Sequence, residues 1–179
     1  MIKKIYFDLD GVLADFQWQV QAKFSIKDIG QFIKDNSQSA FWSKLTKAGE
    51  EFWSSMPQTK HGWDLVVWAI KNQIPYEILT APTRDKSSRT GKAKWVKQNV
   101  NSKTAVNFAA AHKKQEFAAP GMVLIDDKPE TIDQWNAAGG IGLLYKDSEY
   151  KKTLAELDKL QKHAVNEMLS FEEFATRFK

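Results

Sequence analysis

The run Ile5-Tyr-Phe-Asp-Leu-Asp-Gly11 constrains this chain more than any other stretch. Ile5 to Leu9 reads as a buried strand, and Gly11 breaks it. Asp8 and Asp10 stand two residues apart at its C-terminal end, a spacing that points both side chains to one face of a straight strand. Open parallel sheets bind ligands at the carboxyl ends of their strands. Two like charges at such a point need an offset, and a divalent cation supplies it; hard ions such as Mg²⁺ prefer oxygen ligands. The alternative is a turn, because Asp-Gly is a frequent hairpin signal and Asp8 could cap a helix. The flanks do not alternate as hairpin strands do, so the spacing favours the metal.

The rest of the chain supplies a sheet for this strand. Tyr76–Thr80, Thr104–Phe108, Met122–Asp126 and Ile141–Tyr145 read as four further strands. Helical patterns separate them: Gly62 to Asn72 with Trp63, Val66, Val67 and Ile70 inward, Arg89 to Asn99 around Trp95 and Val96, a short helix from His112 to Ala119, and one from Pro129 to Gly139-Gly140 through Ile132 and Trp135. Strands alternating with helices, each strand continuously apolar, predict an α/β fold with a parallel sheet covered on both faces. Between Phe16 and Pro57 no strand pattern appears. About 40 residues are too many for an ordinary loop, and the run reads as a small helical insertion over the strand ends. From Tyr150 onward Leu154, Leu157, Leu160, Val165, Met168 and Leu169 form a helical stripe, and Ser170-Phe-Glu-Glu173 opens a last short helix with Phe171, Phe174 and Phe178. These helices pack on the body or, alternatively, form a dimer contact.

Composition narrows the function. The 179 residues carry no cysteine, which excludes disulfides, thiolate catalysis and cysteine-ligated zinc and is compatible with a cytoplasmic protein. His61, His112 and His163 are too scattered for a histidine metal site. No stretch approaches the ~20 apolar residues of a membrane span, and Met1-Ile-Lys-Lys4 leaves no room for a signal peptide before the first strand. The net charge of +4 suits an anionic substrate. Because no dense Lys/Arg block exists, nucleic-acid binding is disfavoured.

Two other strand ends carry chemistry. Thr80 closes the second strand in Ile78-Leu-Thr-Ala-Pro82, where its hydroxyl and exposed backbone N–H groups, as at Ala81, can hold a phosphate oxygen. Asp126 and Asp127 close the fourth. Consecutive acids point to opposite faces, so one can bind metal while the other supports it; an N-cap for the helix at Pro129 is the bland explanation.

The first run resembles motif I of the haloacid dehalogenase (HAD) superfamily, Asp-x-Asp-Gly-(Thr/Val). Phe7-Asp-Leu-Asp-Gly-Val-Leu-Ala-Asp-Phe16 looks more narrowly like the 5′(3′)-deoxyribonucleotidase branch. Thr80 matches motif II in kind and position, Val123-Leu-Ile-Asp-Asp-Lys-Pro129 resembles motif IV of that branch, and Lys114-Gln-Glu-Phe-Ala118 matches the family's lysine segment better than Lys113 does. The motifs cover roughly residues 5 to 145 in the right order.

The resemblance implies a HAD-like Rossmannoid three-layer sandwich with a five-stranded parallel sheet and a small helical cap inserted after the first strand. Residues 1–15 and 58–179 would form the core and 16–57 the cap. It implies Mg²⁺ held among Asp8, Asp10, Asp126 and Asp127, with Asp127 the direct ligand and Asp126 its supporter. Asp8 would be the nucleophile, Asp10 the acid and base, and Thr80 and Lys114 would hold the phosphoryl oxygens. Asp10 could also offer its backbone carbonyl to the ion. Lys92 resembles a second phosphate-side lysine, and Lys128 occupies a position where the branch can carry a basic substrate contact. The substrate would be a nucleoside monophosphate, with Phe16, and then Phe41, Trp42 and Trp53, as candidates to touch the base; most rings of the insertion (Trp18, Phe24, Phe32 and Phe52 among them) would serve its own core. A sugar phosphate or nucleic-acid end is the alternative substrate, and a catalytically idle HAD-like binding module the alternative function. The protein would be a monomer or homodimer.

Overall fold

The structure, a computed structural model, describes residues 1–162. The expected apolar positions from Val165 onward, and the short helix from Ser170, lie outside the described residues. Five strands form one sheet: β1 (Lys4–Phe7), β2 (Tyr76–Thr80), β3 (Val106–Phe108), β4 (Met122–Asp126) and β5 (Ile141–Leu144). All pair in parallel, in the order β3-β2-β1-β4-β5. The helices are α1 (Phe16–Phe24), α2 (Ile29–Asp35), α3 (Gln38–Ser54), α4 (Gly62–Lys71), α5 (Lys86–Asn99) and α6 (Pro129–Ala137). The short helix before β4 is a 3₁₀ stretch, Ala111–Phe117, and residues 150–162 include a further helix.

Alternation along the strands explains the three layers. Ile5, Phe7, Ile78, Val123 and Ile125 point to one face, where they join Leu65, Val66 and Ala69 of α4, Trp95 and Val96 of α5, and Leu157. Tyr6, Leu79 and Leu124 point to the other, against Ile132 and Trp135 of α6. With both faces covered, the strand positions that point into these two layers are apolar. Leu154 and Leu160 pack beside Leu157, and Trp68 Nε1 donates to Asp158 Oδ1 at 2.7 Å, so this part of the C-terminal stripe lies on the body.

The α4 expectation is corrected in its face. Trp63 and Ile70 are exposed, while Gly62, Leu65, Val66 and Ala69 are buried. The inward stripe is set one position from the large residues because Gly62 must approach the first loop closely; a Cβ there would lie 2.2 Å from the Val12 carbonyl.

Helices α1–α3 form the insertion. Each starts where the sequence offers an oxygen to the first turn: Asp15 accepts from Trp18 N, Asp28 from Gln31 N and Ser37 from Ala40 N. α3 spans both aromatic pairs and bends at Gly49, whose φ of 67° is open to glycine. Phe41, Leu45 and Phe52 line its buried side. The chain enters and leaves the insertion side by side. Asp15 N–H donates to the Pro57 carbonyl at 2.8 Å, Ala14 bridges Gln58, and Thr59 N–H donates to the Leu13 carbonyl at 2.9 Å. No described helix is long and apolar enough to cross a membrane.

Candidate active site

In a sheet of this order the chain runs from β1 toward β3 on one side and from β4 to β5 on the other. The crevice between β1 and β4 at the strands' carboxyl ends is therefore the switch point where a ligand is expected. Asp8 follows β1 and its N–H donates to the Ile125 carbonyl at 2.9 Å, which keeps the two strand tips together. The chain then turns sharply: Leu13 and Ala14 N–H both donate to the Leu9 carbonyl, and Gly11 takes a φ of 79°. A Cβ on Gly11 would lie 2.4 Å from Asp127 Oδ2, so the turn passes directly against that carboxylate.

Asp8, Asp126 and Asp127 each offer an oxygen, and these atoms lie within 4.8 Å of one another. Three hard oxygen donors gathered this closely fit a Mg²⁺ ion. Asp10, the fourth carboxylate expected at the ion, lies outside this set of three. The Gly11 turn takes Asp10 out of the extended geometry in which residues two apart share a face, and its Oδ2 is held 2.6 Å from Lys92 Nζ.

Lys114 resolves the choice between neighbouring lysines by position. It is buried, with Nζ 2.8 Å from Asp8 Oδ1 and 2.7 Å from Asp126 Oδ2, whereas Lys113 is exposed. Asp126 uses its other oxygen to accept Lys128 N–H at 2.9 Å. Both of its oxygens are thus engaged, which suits the supporting place given to it by the motif. Lys128 itself is exposed at the cavity wall.

Thr80 ends β2 fully buried. Its Oγ1 accepts from Lys92 Nζ at 3.1 Å, and the Ala81 carbonyl accepts from the same atom at 2.7 Å. A hydroxyl that accepts still has its own O–H to give. Lys92, expected as a second phosphate-side lysine, stands at the cavity with its three donors on Asp10, Thr80 and Ala81.

The acids feel one another. Burial, followed by the charge of Asp8, raises the pKa of Asp126. Burial, then Asp8 and Asp126, pushes Asp127 up to about 7. Asp10 is also raised, chiefly by burial, against the opposing pull of Lys92. Burial works to lower Lys114, but the carboxylates of Asp8 and Asp126 prevail and raise it.

A cavity of about 940 Å³ opens between this rim and the insertion. Asp10, Gly11, Ala81, Lys92, Asp127 and Lys128 face it from the rim, and Phe16, Trp42 and Trp53 from the insertion. Phe16 stacks on Trp53 at 5.8 Å and 17°. Phe41 is corrected: it is 1% exposed, packs edge-on against Phe16 and Phe32's side of the insertion core, and lies off the cavity wall. Helical rotation separates it from Trp42, one residue on, which is partly exposed and faces the cavity. The sequence reading missed Gln17, Ser39, Ser43, Thr46 and Arg84, which also line it. Ser39 and Thr46 fall at helical spacing from Trp42 and Ser43, a signal that was available.

Metal binding at carboxylates displaces protons. An Mg²⁺-induced rise in melting temperature should therefore be small at pH 5.5, where Asp127 holds its proton, and grow through pH 7. In the metal-free protein the same acid acts in the opposite sense. The unfolded chain ionises near 3.8 and the folded one near 7, so the folded state holds the extra proton in between and loses that advantage as pH rises across this window. Thermal melts from pH 5.5 to 8.5 with and without Mg²⁺ check this; an Mg²⁺ effect independent of pH would remove Asp127 from the ligand set.

No family model matches the chain, and no curated protein does. Solved structures are similar in fold. A hydrolase from Pseudomonas syringae matches with a TM-score of 0.50 at 17% identity, over 86% of this chain and 98% of its own. A haloacid dehalogenase-like family hydrolase from Xanthomonas campestris gives 0.49 at 13% identity, over 82% and 83%. A HAD family enzyme from Bacteroides thetaiotaomicron, in complex with magnesium and inorganic phosphate, gives 0.46 at 14%, over 83% and 96%. The α/β architecture with its five-stranded, all-parallel sheet is the fold that the chain shares with the Pseudomonas syringae hydrolase.

Proposed function

We propose that the protein is a Mg²⁺-dependent phosphatase of the HAD type that hydrolyses nucleoside monophosphates, in the manner of the 5′(3′)-deoxyribonucleotidases. The observation that carries this reading is the pair of carboxylates at one strand tip, each on its own buried lysine: Asp8 on Lys114 and Asp10 on Lys92. Two acids held in different surroundings can take different parts in one reaction.

Asp8 and Asp127 would hold Mg²⁺, with Asp126 in support and the Asp10 backbone carbonyl as a further donor; the ion would supply positive charge that offsets the repulsion between an anionic nucleophile and an anionic ester. An Asp8 carboxylate oxygen attacks phosphorus, and the bond from phosphorus to the leaving oxygen breaks. Asp10 gives that oxygen its proton. In the second half Asp10 takes a proton from water as the water oxygen attacks the aspartyl-phosphate, releasing inorganic phosphate and restoring Asp8. Help of this kind is worth ~10²–10⁴ in rate. The Lys114 ammonium and the Thr80 hydroxyl would hold the phosphoryl oxygens as they gain charge.

Helices α1–α3 act as the cap. Stacking of a base on rings such as Phe16 and Trp42 is worth ~1–3 kcal/mol by analogy with single-strand binding, and the cavity volume accommodates a nucleotide. The neutral hydroxyls of Ser39, Ser43 and Thr46 on the same wall favour a second reading, a hydroxyl-rich sugar phosphate. A panel of phosphate monoesters assayed with Mg²⁺ and with EDTA tests both. Nucleoside monophosphates should be turned over fastest, and EDTA should abolish release of phosphate. Sugar phosphates hydrolysed at least as fast as 5′- and 3′-deoxynucleotides would remove the nucleotidase assignment; no release from any ester would leave a binding module.

A further inference from the structure

Lys92 stands in the middle of α5 with 1% of its surface exposed. An ammonium has three hydrogens to donate and no acceptor. Three acceptors surround this one: Asp10 Oδ2 at 2.6 Å, the Ala81 carbonyl at 2.7 Å and Thr80 Oγ1 at 3.1 Å. The Trp53 ring of α3 covers it, with the ring centroid 4.9 Å from Nζ. Burying an ammonium is costly unless its hydrogens are all matched, and here the protein matches them by itself. A lysine that binds substrate phosphate would keep a donor for the cavity.

We propose that Lys92 is a positioning residue for the acid Asp10 and not a ligand of the substrate phosphate. The proposal rests on the phosphatase reading above. Asp10 sits in the tight turn after β1, outside regular structure, where its carboxyl group would otherwise rotate. Lys92 clamps Oδ2 and thereby fixes the plane of the group. Oδ1 is left buried with no hydrogen-bond partner among the described residues. Of the two oxygens of this acid, Oδ1 is thus the one that the described residues leave uncommitted. The same ammonium anchors the end of β2 through Thr80 and Ala81, so the two loops that flank the reacting phosphorus share one fixed point.

The neighbouring residue shows how the clamp is kept closed. A Cβ on Gly91 would lie 2.6 Å from both the Glu50 carbonyl and Trp53 Cβ. Glycine is what lets α3 come down onto α5 there, and that approach seats Trp53 over Lys92.

The two roles predict different dependence on the leaving group. Loss of a phosphate ligand weakens binding and turnover of every monoester alike. Loss of a clamp on the acid matters most when the leaving oxygen needs a proton. Lys92→Met should lower kcat on an alkyl monoester such as glycerol 2-phosphate by about 10²–10³-fold, within the range of general acid help. Its loss on p-nitrophenyl phosphate, whose leaving group departs without a proton, should be at least about tenfold smaller. KM and the inhibition constant of inorganic phosphate should stay near wild type. Lys92→Gln, which keeps a donor, should recover part of the alkyl-ester rate and carries the same comparison if the methionine variant does not fold. Equal losses on both esters, or a rise in KM together with weaker phosphate inhibition, would overturn the proposal, as would no loss on either. Failure of the wild type to hydrolyse either ester would instead remove the phosphatase reading and this assignment with it.

Discussion

Asp8→Asn is expected to slow hydrolysis of phosphate monoesters by on the order of 10⁴-fold or more, the scale on which removal of a covalent nucleophile registers, and to yield no phosphoenzyme. The substitution is nearly isosteric. Asp8 is buried and its backbone N–H joins β1 to β4, an interaction that asparagine keeps. Lys114 retains Asp126 as a partner at 2.7 Å, so the fold should persist. What is lost is the anionic oxygen that would attack phosphorus. Acid-quenched reactions with labelled substrate should trap phosphate on the wild type and none on the variant. Near-normal turnover by Asp8→Asn would take the nucleophile's role away from this residue.

Lys114→Met should lower stability by about 3–5 kcal/mol, the usual result when one partner of a buried ion pair is removed. Methionine fills the space of the stem but leaves Asp8 and Asp126 facing each other inside the protein, 4% and 0% exposed. The pH dependence follows from the shifts. The folded-state pKa of Lys114 is raised, so its contribution is complete below the ordinary lysine value of 10.5 and is lost only above that, and neutral pH shows the full deficit. Asp126 is raised as well, chiefly by burial, so acidification should narrow the gap between variant and wild type. Urea unfolding at pH 7.5 without divalent cations, repeated at pH 5, measures both. A loss below about 1 kcal/mol at pH 7.5, the level of an exposed pair, would mean that the lysine does not neutralise these carboxylates.

The sheet and the tips of its strands were legible because their signal is local. A strand buried on both faces must be apolar throughout, so an acid at its end stands out, as Asp8 does after Phe7 and Asp126 after Ile125. The five strands and their alternation with helices follow from that pattern. What depended on a partner remote in sequence was not legible. Trp63 and Ile70 looked like core because they are large, yet the inward side of α4 is chosen by the contact of Gly62 with Val12. Asp10 looked like a member of the acid cluster because spacing assumes a straight strand, and the turn at Gly11 ends that geometry. Lys92 looked like a substrate contact, and only the fold brings Thr80, Ala81 and Asp10 to its ammonium. Phe41 and Trp42 are adjacent in sequence, and helical rotation alone assigns one to the core and the other to the cavity.

The paired passage of Ala14-Asp15 beside Pro57-Gln58 has a consequence for how such chains diversify. The excursion from Phe16 to Met56 begins and ends at neighbouring points, so it behaves as an ornament hung on a closed clasp. Its length and contents can be traded without rerouting the strands beneath. What must survive each exchange is the seam on α5 at Gly91, since that is where the ornament touches the acid's anchor. Selection can then rewrite the wall around Trp42 while Asp8 and Lys114 stay as they are.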